Sequence, residues 1–187
     1  MAKDRTVHDK KMITTLDKLR GGDLRSIGRS NEIVADIEEN PMLIEKVFPG
    51  LHDPDPVLKA RAADVIEKAT RKKPELLLNR KREIISILKK EKQQEVCWHI
   101  AQMIPRLEYT PQEEEAVIHA LNHYLSHKSK IVRVSALEAL TDLAQRNKSI
   151  LNAVTKTVRF HAETGSPAVQ ARGRKLLKLL KTRSING

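Results

Sequence analysis

Apolar residues recur along the chain with a helical spacing and with a longer period of 36 to 38 residues. Four segments align at this period, and each places apolar or small residues at offsets of 0, 4, 7, 8 and 11 from its first column. These offsets lie on one face of a helix at about 100° per residue, and they do not alternate as in a strand. The segments are PVLKARAADVIEKAT (56–70), QEVCWHIAQMIPRL (94–107), KIVRVSALEALTDLA (130–144) and PAVQARGRKLLKLL (167–180).

The aligned columns predict the buried face of each helix. The first column holds Leu58, Val96, Val132 and Val169, and the second holds Ala62, Ile100, Ala136 and Gly173. The third column holds Val65, Met103, Ala139 and Leu176, the fourth Ile66, Ile104, Leu140 and Leu177, and the last Ala69, Leu107, Leu143 and Leu180. Small residues in the second column predict a close approach between helices. A weaker, earlier copy is formed by Ile33, Val34 and Ile37.

Each period also contains a second helical pattern. One face is shared by Leu77, Ile84 and Leu88, another by Val117, Leu121, Tyr124 and Leu125, and a third by Ile150, Leu151, Val154 and Val158. Helix starts are predicted where a capping side chain precedes a proline, at Asn40-Pro41, Asp55-Pro56, Thr110-Pro111 and Ser166-Pro167. Pro105 lies inside the second segment and predicts a kink.

The repeating unit is therefore a helical hairpin, which cannot bury its own apolar face and must stack on its neighbours. The sequence predicts an all-α protein, an α-solenoid of about four hairpin repeats. The predicted boundaries are an amphipathic capping helix (1–22), repeats at about 23–51, 52–91, 92–127 and 128–165, a half repeat (166–183) and a tail (184–187).

Two motifs resemble those of the HEAT-repeat family. They are the Asp53-Pro54-Asp55-Pro56-Val57 turn before an Ala-rich helix, and Val132-Arg133 followed by Ala136, Ala139 and Leu140. The resemblance covers residues from about 26 to 180, and Cys97 and Gln170 stand where the family usually has a basic residue. It implies a superhelix whose concave side is lined by helices 56–70, 94–107, 130–144 and 167–180.

The exposed positions of these inner helices lie two, three and six residues after the first column. Together with the basic position of the motif they give six candidate groove residues, Trp98, His99, Arg61, Arg133, Arg172 and Lys175. Tryptophan and arginine are the residue types that most often dominate interface energetics. Two alternatives stay open, because Trp98 could pack between inner helices and Arg133 could join neighbouring repeats.

Charge favours an anionic partner. The 187 residues hold 35 Lys and Arg against 24 Asp and Glu, a formal net charge of +11, and only 3% aromatic residues. Residues 71–92 hold nine bases and three acids, residues 166–187 hold six bases and no acid, and residues 32–45 hold five acids and no base. The single cysteine, Cys97, and the absence of an apolar leader or membrane-length run favour a cytoplasmic setting.

Candidate chemistry is sparse. Glu115, His119, His123 and His127 form a stripe at helical spacing, but a structural zinc site needs four constrained ligands, so the sequence predicts no metal and no cofactor. There is no glycine-rich phosphate loop, nucleophile elbow or HExxH motif, which favours a non-catalytic protein. A minority alternative is a nucleic-acid-binding protein similar to the HEAT-like alkylpurine DNA glycosylases, with Asp64 or Glu138 as the carboxylate.

The sequence therefore predicts a scaffold that binds a protein partner with an acidic surface, ahead of nucleic acid. It is expected to be a monomer or a weak dimer formed through the C-terminal half repeat.

Overall fold

The structure, a computed structural model, describes residues 14–185, with side chains up to residue 182. This part of the chain is helical and contains no strand. Its α-helices are α1 (Ser30–Glu39), α2 (Pro56–Lys72), α3 (Lys81–Lys90), α4 (Gln94–Met103), α5 (Pro111–Tyr124), α6 (Lys130–Arg146), α7 (Lys148–Thr164) and α8 (Pro167–Ile185). Short 3-10 segments lie at Asp17–Leu19, Pro41–Lys46, Phe48–His52, Pro74–Arg80 and Ile104–Arg106.

Helices one period apart pack against each other. Helix α2 packs on α4, α4 on α6, and α6 on α8, so the four aligned segments form one continuous layer. Three further helices pack against this layer. Helix α3 packs on α4, helix α5 packs on α6, and helix α7 packs on both α6 and α8. Helix α1 and the 3-10 segment Phe48–His52 pack on α2 at the N-terminal end, and the segment Pro41–Lys46 packs on α1. The side of α2, α4, α6 and α8 that carries the predicted groove positions is called the inner face below.

The core confirms the predicted columns. All their members are buried except Leu177, which is partly exposed. The small residues of the second column mark close contacts, as predicted: a Cβ added to Gly173 would lie 2.9 Å from the Ala162 backbone of α7. In the second set of helices, Leu77, Ile84, Leu88, Val117 and Leu121 are fully buried. Buried apolar residues from all eight α-helices belong to one hydrophobic cluster, as expected for a closely packed interior.

Three of the four predicted capping side chains cap the start of a helix or of a 3-10 segment. Asp55 accepts a hydrogen bond from the Val57 amide (2.9 Å), and Asn40 caps the 3-10 segment that begins at Pro41. Thr110 and Glu113 form a complete capping box. Ser166 differs, because its hydroxyl is buried without a hydrogen-bond partner.

Three boundaries differ from the prediction. Helix α4 ends at Met103 and continues as a 3-10 turn through Pro105, so the predicted kink is a helix end. Residues 1–13 of the predicted capping helix lie outside the described residues. Over residues 14–22 only one 3-10 turn forms, because Gly21 and Gly22 adopt positive φ (77° and 76°) and end it. Helix α8 extends to Ile185, into the predicted tail, of which residues 186–187 are not described.

Candidate interaction surface

Arg61 is a structural residue and not an exposed groove residue, contrary to the sequence prediction. Its side chain is 5% exposed, and the segment of residues 19–28 wraps around it. The guanidinium donates hydrogen bonds to backbone carbonyl oxygens of this segment, those of Leu19 (2.8 Å), Gly21 (2.5 Å), Asp23 (3.3 Å) and Ser26 (3.0 Å). Helical periodicity places Arg61 on the outside of α2, but it carries no information about a preceding loop that covers this position.

Glycines allow the loop to approach the guanidinium so closely. Gly28 has a φ of 53°, and a Cβ added there would lie 2.9 Å from Arg61 Cζ. A Cβ on Gly22 would lie 3.0 Å from Arg61 Nη2. The sequence GGDLRSIG (21–28) therefore holds the N-terminal segment on α2 through backbone contacts that a side chain would block.

Trp98 lies at the rim of a pocket of about 240 Å³ between this loop and helices α2 and α4. The ring is partly buried against the core, and its Nε1 is buried without a hydrogen-bond partner. Leu24 (46% exposed) and Ile27 (49% exposed) line the same pocket from the loop side. The result is an apolar cluster on the inner face, in which a partly buried aromatic ring lines the same pocket as two exposed aliphatic side chains.

Leu24 and Ile27 were not identified from the sequence as site residues. They stand outside the apolar columns, between Gly22 and Gly28, and nothing in the periodicity relates them to Trp98. The only available signal was the presence of two large apolar residues in a segment rich in glycine and polar residues.

His99 lies beside Trp98 and is mostly buried, with 13% of its side chain exposed. The two rings meet edge to face, with centroids 5.2 Å apart. The His99 Nε2 atom is 3.8 Å from Asp64 Oδ1, and its Nδ1 has no hydrogen-bond partner. Burial lowers the pKa of His99 to about 4, because the nearby carboxylates of Asp64 and Glu67 do not compensate for lost hydration.

We expect this buried imidazole to make the protein less stable in acid. The folded-state pKa is lower than the ordinary value of 6.5, so the stability linked to neutral His99 is complete above pH 6.5 and is lost as the pH falls towards 4. At about 1.4 kcal/mol per pKa unit, the loss amounts to about 3 kcal/mol at pH 4. Urea unfolding at pH 7 and pH 4 measures it.

The control is a pair of variants, because carboxylates also titrate over this range. The stability difference between pH 7 and pH 4 should shrink by about 3 kcal/mol in His99→Gln and stay unchanged in His123→Gln, which alters an exposed imidazole. An identical pH dependence in wild type and His99→Gln would contradict the assignment.

A second pocket, of about 260 Å³, lies where α2, α4 and α6 meet. Its wall contains Glu67, which is 2% exposed and pairs with Arg71 (2.5 Å) and with Arg106. Arg106 also donates to the Glu67 carbonyl and to Thr70 Oγ1, both at 2.7 Å. Burial raises the pKa of Glu67, but the hydrogen bonds from the two arginines outweigh it and hold the pKa below its usual value.

The cluster of Glu67, Arg71 and Arg106 joins α2 to the turn after α4. Joining neighbouring repeats in this way is the alternative role that the sequence left open for Arg133. Glu67 and Arg106 do not recur in the aligned segments, so no column pointed to them. Arg133 itself is partly buried, and its Nε has no hydrogen-bond partner.

The remaining groove candidates lie towards the C-terminal end of the inner face. Arg172 is partly exposed and pairs through Nε with Glu138 Oε1 (2.5 Å). Lys175 is exposed. Asp64, the other candidate carboxylate of the glycosylase alternative, accepts a hydrogen bond from Lys68 Nζ (2.7 Å). Both candidate carboxylates are therefore paired with cations, and the inner face presents mixed, largely neutralised charge.

The histidine stripe is only partly assembled. His119 and His123 are exposed and line a groove of about 560 Å³ between α3 and α5, together with Glu115. His127 lies beyond the end of α5, where its Nδ1 accepts a hydrogen bond from the Ser129 amide (3.0 Å). Within residues 14–182, no three His, Cys, Asp or Glu side chains are grouped so that they could hold a metal ion.

Comparison of the chain with protein-family models, with curated proteins and with solved structures finds no match in any of the three. Among the described residues, no helix combines the length and apolar character that a membrane span requires.

Proposed function

We propose that this protein is a non-catalytic helical-repeat scaffold that binds a protein partner through its inner face. The observation that carries the proposal is the apolar cluster of Trp98, Leu24 and Ile27 on that face. Aromatic anchors surrounded by aliphatic and polar residues dominate the energetics of protein interfaces. Stacked helical hairpins supply the extended surface that such a partner would need. The similarity to HEAT repeats supports the same interpretation.

The charges of the inner face favour a partner of mixed charge over a strongly acidic one. Lys68, Arg71, Arg106 and Arg172 all pair with carboxylates, and Arg61 is saturated by backbone carbonyls. A surface whose cations are already paired attracts anions weakly, because the carboxylate of each pair cancels most of the field of its cation at a distance. The pairing of Asp64 and Glu138 likewise disfavours the glycosylase alternative, because neither carboxylate is free to act on a substrate.

The proposal predicts that a bound protein is lost when the apolar cluster is made polar. Leu24→Ser/Ile27→Ser should reduce affinity about tenfold or more, because these side chains are exposed in the free protein and a partner would bury their apolar surface. The measurement is affinity capture from nuclease-treated source lysate, followed by quantification of the captured protein and titration with it.

The matched control is Met42→Ser/Leu78→Ser, which removes two apolar side chains that are even more exposed (74% and 61%) from other segments. It should bind like the wild type. Equal losses in the two double variants, or capture only from lysate that was not treated with nuclease, would contradict a protein-binding inner face.

A further inference from the structure

The positive charge of the chain is concentrated in its last third. Residues 128–187 contain 13 Lys and Arg and three Asp and Glu, a net charge of +10. Residues 1–127 contain 22 bases and 21 acids, a net charge of +1. Nearly all the charge excess therefore belongs to α6, α7 and α8, although the inner face is largely neutralised.

Helices α7 and α8 carry this charge on their exposed sides. Six bases there are exposed and, within residues 14–182, form no ion pair with a carboxylate: Lys156, Arg159, Arg174, Lys175, Lys178 and Lys181. In the N-terminal half, by contrast, many bases form ion pairs with carboxylates, among them Lys18, Lys59, Arg80 and Lys81. Exposed cations without counter-charges repel one another when they lie close together, so an anionic ligand that pairs with them would be favoured.

Three of the four α8 bases lie on one side of the helix, whereas Lys175 belongs to the inner face. Arg174, Lys178 and Lys181 follow each other at helical spacing, opposite the buried Val169 and Leu180. They span about 10 Å along the axis at 1.5 Å per residue, the length of about three nucleotide steps. The apolar side of α8 is already packed on α6 and α7. Within residues 167–182, Leu179 (48% exposed) is the one large apolar side chain that is exposed, and one such residue is not the apolar stripe that membrane insertion needs.

An exposed aromatic ring lies on the same helix as two of these bases. Phe160 of α7 is 59% exposed, whereas the other phenylalanine, Phe48, is fully buried. Lys156 lies one helical turn before Phe160, and Arg159 directly precedes it. Proteins that bind single strands combine cations that follow the phosphates with aromatic rings on which unpaired bases stack. An acidic protein would need the cations but not the ring.

We propose that the α7–α8 surface, defined by Lys156, Arg159, Arg174, Lys178, Lys181 and Phe160, binds single-stranded nucleic acid, with the cationic side chains on phosphates and Phe160 stacked on an unpaired base. This site is separate from the inner face and does not depend on the function proposed for it. It is made of exposed side chains, so its variants should keep the fold.

The test uses the full chain and a fluorescein-labelled mixed-sequence DNA 20-mer, single-stranded or duplex, with anisotropy measured at several salt concentrations. Arg174→Gln/Lys178→Gln/Lys181→Gln should weaken single-strand binding at least tenfold. It should also reduce the slope of log K against log salt by about 2, because each phosphate contact contributes about 0.7. Phe160→Ala should weaken single-strand binding about fivefold or more and reduce the preference over duplex.

The matched control is Arg82→Gln/Lys89→Gln/Lys90→Gln, which removes three exposed bases from α3 and changes the net charge equally. It should bind nearly like the wild type. The proposal is overturned if this control weakens binding as much, or if Phe160→Ala has no effect. It is also overturned if heparin or vesicles containing phosphatidylserine bind as tightly as the oligonucleotide and depend on the same residues.

Discussion

Replacing Ala136 with aspartate should unfold the protein or cost more than about 4 kcal/mol of its stability. Ala136 is fully buried in the middle of α6, the helix that packs on α4 and on α8. A carboxylate there loses its hydration without gaining a partner, and its larger volume separates two helix contacts at once. Urea unfolding followed by circular dichroism measures the loss.

The control for Ala136→Asp is His123→Ala on the exposed side of α5, which should change stability by less than about 0.5 kcal/mol. Similar losses from the two substitutions would show that the buried and exposed faces are assigned wrongly.

Replacing Arg61 with methionine should release the N-terminal segment. The substitution keeps much of the aliphatic stem but leaves the carbonyl oxygens of residues 19–26 without their donor. Hydrogen bonds to charged groups contribute about 1.5–3 kcal/mol each and are not additive, so we expect a loss of about 3 kcal/mol. Hydrogen exchange should show faster exchange at amides 19–28 and unchanged exchange in α4 to α8.

Arg61→Lys should recover little of this loss, because an ammonium cannot present the planar fork that reaches several carbonyls. Arg82→Met, which alters an exposed arginine of α3, is the control. Unchanged exchange at residues 19–28 in Arg61→Met would contradict the role assigned to this side chain.

Features set by local periodicity were predictable from the sequence. Ala62, Ile100 and Ala136 are buried because each occupies the same register of an amphipathic helix, and that register is fixed by spacing alone. The Thr110 cap was predictable for a similar reason, since its partners are within three residues. Ser166 also precedes a proline, as Thr110 does, but its hydroxyl is buried and has no hydrogen-bond partner, so it does not act as a cap.

Features set by contacts between distant segments were not predictable. The prediction that Arg61 is exposed was wrong because residues 19–28 fold back over α2, about 40 positions away along the chain. The cluster of Glu67 and Arg106 is equally non-local, and its residues do not repeat. The candidate site follows the same division: Trp98 was identified from its register, whereas Leu24 and Ile27 became visible only when the loop was placed beside it.

The inner face and the α7–α8 surface are expected to bind different partners. The most direct measurement is a crossed capture experiment, in which wild type, Leu24→Ser/Ile27→Ser and Arg174→Gln/Lys178→Gln/Lys181→Gln are compared for the protein and nucleic acid that they retain. We expect the first variant to lose nuclease-resistant protein and keep nucleic acid, and the second to do the reverse. If one variant loses both the protein and the nucleic acid while the other variant keeps both, the two surfaces do not bind separate partners.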